Sequence, residues 1–76
     1  MKRCNSKRQK YLIVVEKAGN NYSAYLPDIP GCIATGKTAE EARENIKDAL
    51  LFHIEGILED GECKPRAKAH IGYATV

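Results

Sequence analysis

Four sets of side chains in this 76-residue chain have the types that catalysis or ligand binding requires. The run Gly31-Cys-Ile-Ala-Thr-Gly-Lys-Thr38 has the spacing of a phosphate-binding loop, in which glycine amides cradle phosphates and a lysine supplies the counter-charge. Cys32 to Thr35 nevertheless reads as a strand, and no βαβ unit surrounds it. Cys32 by itself could be a nucleophile, and His53 a proton acceptor. No Ser, Cys or carboxylate stands where it would complete a triad with His53, so His53 is expected to be a half-buried core residue and Cys32 a packing residue. His70 is expected at the surface or an interface. The carboxylates Glu16, Asp28, Glu40, Glu41, Glu44 and Asp48 raise the question of two-metal hydrolysis, which needs acids converging on cations about 4 Å apart. Here they fall at a strand end, in a turn and on the solvent side of a helix. No catalytic residue, metal site or cofactor is expected.

These positions follow from the elements. Lys10–Lys17, with Tyr11-Leu-Ile-Val-Val15 at its centre, is aromatic and β-branched enough for a strand. Tyr11, Ile13 and Val15 point to one face and Leu12 and Val14 to the other, so both faces of the sheet are expected to be covered. Ala18-Gly-Asn-Asn21 reads as a hairpin loop, and Tyr22–Leu26 as the second strand, with Tyr22, Ala24 and Leu26 on one side. Pro27 has no N–H for a ladder, and Pro30-Gly31 suits the centre of a type II turn. Cys32–Thr35, closed by Gly36, is the third strand of an antiparallel meander. A weaker strand pattern over Ala69–Val76 predicts a fourth strand beside the first.

A long helix comes before that last segment. Thr38 with Glu41 makes a capping box, acids crowd the first turn, and Gly61 is placed to end the helix. At 1.5 Å per residue the roughly 23 residues between would run about 34 Å, against about 17–20 Å for five-residue strands. The C-terminal third should overhang the sheet or bend near Gly56. Ala39, Ala42, Ile46, Ala49, Leu50, His53 and Ile57 share the face expected on the sheet. Leu51, Ile54 and Leu58 lie off it, with Phe52 on its other flank. A second apolar surface of this kind marks a partner, here a self-association patch.

Composition narrows the classes. The chain is long enough for one small domain with a modest core, over 10–76, preceded by a basic flexible arm over 1–9. No apolar run approaches the roughly 20 residues that span a bilayer, and no signal-peptide pattern follows the basic start. Cys4, Cys32 and Cys63 are far apart and in no ligand spacing, which predicts reduced thiols, no zinc site and a cytoplasmic setting. Charge is segregated beneath the net +2: Lys2, Arg3, Lys7, Arg8 and Lys10 precede all ten acids, and Lys64, Arg66 and Lys68 follow them. Basic ends of this kind could grip phosphates, so a stand-alone nucleic-acid binder is the alternative reading.

Tyr22-x-Ala-Tyr-Leu-Pro-Asp-Ile-Pro-Gly-Cys32, then Thr35-Gly-x-Thr38, Glu41-Ala42, Asn45-Ile46-x-x-Ala49-Leu50 and Asp60-Gly-Glu62 resemble the HicB family of antitoxins. The resemblance spans about Tyr11 to Val76. It implies an α+β fold of partial RNase H-like type without the nuclease residues, acting by neutralising a HicA toxin, a small mRNA-cleaving protein, through direct contact. It also implies a homo-oligomer. Many members carry a C-terminal DNA-binding segment; the sequence stops at Val76, so operator binding by that route is not expected. Within this frame Pro27, Asp28, Ile29, Pro30 and Gly31 are the candidate toxin-binding residues, and Leu51, Phe52, Ile54 and Leu58 the self-association residues. A repurposed relative without a toxin partner would share these features.

Overall fold

The computed structural model describes residues 8–76; the expected basic arm falls largely on residues 1–7, outside the described residues. Three strands and one helix follow in chain order: β1 (Val14–Ala18), β2 (Asn21–Tyr25), β3 (Ile33–Gly36) and α1 (Ala39–Glu59). The strands form an antiparallel sheet in the order β1-β2-β3. Ala18 pairs with Asn21 across a two-residue turn. Gly19 takes φ +62° there while Asn20 keeps a negative φ, the II′ arrangement that suits the twist of a hairpin.

The first strand is shorter than its apolar run. Its register ends with Val14 opposite Tyr25, because beyond Tyr25 the partner chain turns. The Ile29 N–H donates to the Leu26 carbonyl at 3.1 Å, and the Cys32 N–H to the Ile29 carbonyl at 3.3 Å. Gly31 at φ +85° makes the second of these the expected type II turn. Lys10 to Ile13 therefore have no ladder to join.

One face of the sheet carries α1. The core consists of Ala24, Leu26, Ile29, Cys32, Ala42 and Ile46, with Tyr11, Ile13, Val15, Tyr22, Ala34, Ala49, Leu50 and Ile54 packed around it. The alternation predicted for Tyr11, Ile13 and Val15 and for Tyr22, Ala24 and Leu26 thus points to this side. The other face has no second layer among the described residues. Ile33 is 64% exposed there, which corrects the expectation that both faces are covered. Helix registration also differs by one position: Ile54 turns to the core, whereas His53 is exposed.

Helix ends follow the predicted chemistry. The Thr38 hydroxyl accepts from the Glu41 N–H at 3.0 Å, and the Glu41 carboxylate accepts in return from the Lys37 N–H at 3.3 Å. At the other end the Glu62 N–H reaches the Ile57 carbonyl and the Gly61 N–H that of Leu58, with Gly61 at φ +77°, a Schellman closure. The helix runs unbroken through Gly56. Its 21 residues extend about 32 Å, roughly twice the reach of the strands, so its C-terminal part overhangs the sheet.

No fourth strand forms over Ala69–Val76. The amides leading into it are taken by side chains instead. The Ala67 N–H donates to Gln9 Oε1 at 3.0 Å, and the Lys68 and Ala69 N–H groups both donate to Asp28 Oδ2 at 3.0 Å. The Tyr11 hydroxyl donates to the Pro65 carbonyl. From His70 onward every residue is exposed.

The clamp at Asp28 predicts a local effect. Asp28→Ala should cost about 1–2 kcal/mol, the lower part of the range for hydrogen bonds to a charged acceptor because the site is partly open. Hydrogen exchange should quicken at Lys68 and Ala69 while Ala24 stays protected. Unchanged protection at the two tail amides would show that the clamp does not hold the segment.

Burial, and then the negative charge of Asp28, raise the Tyr11 phenol above its ordinary value of 10.0. The folded state therefore favours the neutral phenol. Its contribution to stability is complete below about pH 10 and is lost as pH rises through the folded value. Burial also pushes the Cys32 thiol up from 9.0, with the same sign. Denaturant midpoints should fall above about pH 10, less steeply in Tyr11→Phe than in the parent chain. Parallel curves would remove Tyr11 as a source.

Candidate functional site

The phosphate-loop spacing does not make a phosphate site. Ile33–Gly36 is an extended strand paired with β2, from Tyr25 opposite Ile33 to Tyr22 opposite Gly36. The Thr38 hydroxyl is committed to the helix cap, and Gly36 is buried against the first turn of α1. A Cβ on Gly36 would come within 2.5 Å of the Ala42 nitrogen. The glycine is there for helix–strand contact, which is the reading that competes with any Gly-Lys-Thr motif.

Cys32 is 8% exposed, and the burial that raises its thiol keeps it protonated and a poor nucleophile. His53 lies at the surface and contradicts the half-buried expectation. Among the described residues no three His, Cys, Asp or Glu side chains are grouped as a metal site. Cys63 stands in a disulfide, which corrects the expectation of reduced thiols at that position; spacing along the chain does not report distance in space. Cys32 is a free thiol, and Cys4 lies outside the described residues.

The five turn residues divide by role. Ile29 is 2% exposed and anchors the turn in the core. Asp28 is half-buried and accepts from the tail amides. Pro27, Pro30 and Gly31 are exposed and form the surface that a partner could touch. On α1 the four predicted self-association residues also separate. Ile54 is half-buried against the core, Leu51 and Leu58 are 62% and 51% exposed on the outer side, and Phe52, 79% exposed, lies toward β3.

One concave feature joins the two predicted groups. A groove of about 550 Å³ runs beneath the overhanging end of α1, between Gly31–Ile33 on one wall and Ala49, Phe52, His53, Gly56, Ile57 and Asp60 on the other. The helical wall is an i, i+3, i+4, i+7 stripe, so it was present in the sequence as a pattern. Its facing wall was not, because β3 reaches it only through the turn. Of the lining residues only Gly31 and Phe52 belong to the two predicted groups; sequence reasoning left the others, Ile33, His53, Ile57 and Asp60 among them, out of the site.

The family model for the HicB-like antitoxin of bacterial toxin–antitoxin systems matches residues 11–75. An uncharacterised 14.9 kDa protein of Haemophilus phage HP1 is 47% identical over 57 residues, covering 75% of this chain and 43% of the phage protein. The chain thus spans less than half the length of that relative. The N-terminal domain of the Burkholderia pseudomallei antitoxin HicB is similar in structure, with a TM-score of 0.62 and 33% identity over 83% of this chain and 69% of that one. A chain of a HicA3 and HicB3 toxin–antitoxin complex matches with a TM-score of 0.63 and 32% identity, over 78% of this chain and 70% of that chain. The meander, the Pro-Asp-Ile-Pro-Gly-Cys turn and the Thr-capped helix are therefore those of a known group, and the chain belongs to the HicB-like antitoxin family.

Proposed function

We propose that this chain is a non-catalytic antitoxin module that binds a HicA-type mRNA-cleaving toxin and occludes it. The observation that carries this reading is the likeness to a chain of a HicA3–HicB3 complex. The chemistry of the fold agrees with it: the free thiol of Cys32 is buried, and the turn and capping carboxylates, Asp28 and Glu41, are engaged in holding the backbone. The exposed Pro27, Pro30 and Gly31 offer a rigid contact, because proline and a buried anchor at Ile29 leave little freedom to lose on binding. Co-expression with a HicA-type toxin tests the proposal. Growth should be restored by the intact chain, and continued arrest with every toxin tried, despite soluble antitoxin, would overturn it.

In this reading the module works in the cytoplasm, where mRNA is cleaved, and self-associates through the outer side of α1. No helix among the described residues is long and apolar enough to cross a membrane. Leu51 and Leu58 stand one heptad apart on that outer side and are both exposed. Leu51→Glu with Leu58→Glu should give a monomer by light scattering while the parent chain is larger. An identical mass for the two would dismiss the patch.

A further inference from the structure

The groove under α1 has Asp60 in its lining and lies beside an acidic stretch of chain. From Asp48 to Cys63 the chain holds five carboxylates, Asp48, Glu55, Glu59, Asp60 and Glu62, and neither Lys nor Arg. The last helical turn contains no basic residue to offset the negative end of the helix dipole. Among the described residues the ion pair recorded is Lys47 with Glu44, at 3.6 Å, so those five carboxylates are unpaired there. Helical spacing places Asp48, Glu55 and Glu59 beside Phe52, four residues before it and three and seven after, on the flank away from the groove-lining His53, Gly56 and Ile57. Phe52 is 79% exposed and lines the groove, as does Ile33 at its sheet end, 64% exposed. An apolar slot with a bare aromatic ring and uncompensated acids is the counterpart of a cationic segment with apolar side chains. Arginine suits it best, since it can lie on the ring and pair with carboxylates together.

We infer that the groove between Gly31–Ile33 and the overhanging end of α1, with Phe52 and its flanking carboxylates, is the docking surface for a basic, apolar-tipped segment of the partner protein. This rests on the antitoxin reading, and it gives that reading a mechanism. A toxin that holds RNA must present cations to phosphates, and an acidic surface beside an exposed ring can occupy those cations in the place of RNA. The Pro30-Gly31 end of the turn then forms one lip of the site, and Leu51 and Leu58 stay outside it.

The test uses the full chain, labelled with ¹⁵N, and the probe peptide Arg-Leu-Arg-Arg-Leu-Arg-amide. Saturable shifts are expected at Ile33, Phe52, His53 and Asp60. The dissociation constant should rise at least tenfold in Phe52→Ala, tenfold again in Asp48→Asn with Glu55→Gln and Glu59→Gln, and steeply with salt. The glutamine counterpart of the peptide should not bind. Equal binding of both peptides, shifts centred on Leu51 and Leu58, or the absence of saturable shifts would overturn the proposal. So would concentration-dependent shifts of the same groove residues without peptide, which would place a second copy of this chain there. No toxin enters this experiment, so its failure leaves growth rescue to judge the antitoxin reading separately.

Discussion

An Ile46→Ala variant is expected to lose about 2–5 kcal/mol, the range for truncating a buried aliphatic side chain to alanine. Ile46 is fully buried, and only Leu26 and Ile29 among the core residues match it in size and burial. The position is central because it packs α1 against the sheet, and the α1–β3 contact is the most extensive between any two elements. Alanine would leave a void that the neighbours cannot fill, since Ala24, Ala42 and Cys32 around it are already small. A domain of this size holds about 5–10 kcal/mol in total, so the loss is a large fraction of it. Urea titration should show the midpoint falling by about half while the slope is kept. A loss below 1 kcal/mol would mean that the helix slides to close the gap.

Gly36→Ala is expected to be nearly as damaging, for the opposite reason. Its new methyl would stand 2.5 Å from the Ala42 nitrogen, 2.9 Å from the Glu41 carbonyl carbon and 3.0 Å from the Ala42 Cα. These are backbone atoms, which cannot rotate aside as a side chain would. The first turn of α1 must move away from β3, and with it the Thr38 cap and the bond from the Ala42 N–H to the Thr38 carbonyl. Overpacking typically costs 1–3 kcal/mol, and the upper end, about 3, applies where the obstacle is main chain. At about 4–8 °C per kcal/mol for a domain of this size, the melting temperature should fall by about 10–25 °C. Gly56→Ala is the control. Nothing lies within 4 Å of a Cβ at Gly56, which sits inside the helix, so alanine there should stabilise by about 0.5–1 kcal/mol. If both substitutions behave alike, close approach is not the role of Gly36.

The contrast between these glycines shows where local reading stops. Gly31 and Gly61 were legible because a turn and a helix end need positive φ, and both have it. Gly36 was read as the residue closing a strand, or as part of a phosphate loop, since its φ is ordinary and its necessity comes from helix backbone at Glu41 and Ala42, five and six residues on. The same limit explains the ends of the chain. Lys10–Ile13 and Ala69–Val76 have strand-like composition, yet a strand needs a partner: the turn at Leu26–Cys32 removes that of the first, and side chains of Gln9 and Asp28 take the amides that lead into the second. Asp28 was read as part of a contact surface, whereas its carboxylate holds two tail amides some 40 residues away in sequence.

For the site, the residue types were legible and their grouping was not. The turn Pro27–Gly31 and the apolar surplus of α1 were both visible, as two separate surfaces. Packing joined part of each, Gly31 and Phe52, into one groove, moved Ile54 into the core and left Leu51 and Leu58 on the far side. By itself the sequence determined what depends on neighbours within a turn or two of chain: the hairpin, the type II turn, the Thr38 cap, the Gly61 stop and the helix long enough to overhang. Only the tertiary structure decided what depends on two distant segments meeting. Those decisions are the close seat of α1 on Gly36, the clamp of Asp28 on the tail and the groove under the overhanging helix, because contact is set by where the core closes and not by spacing along the chain.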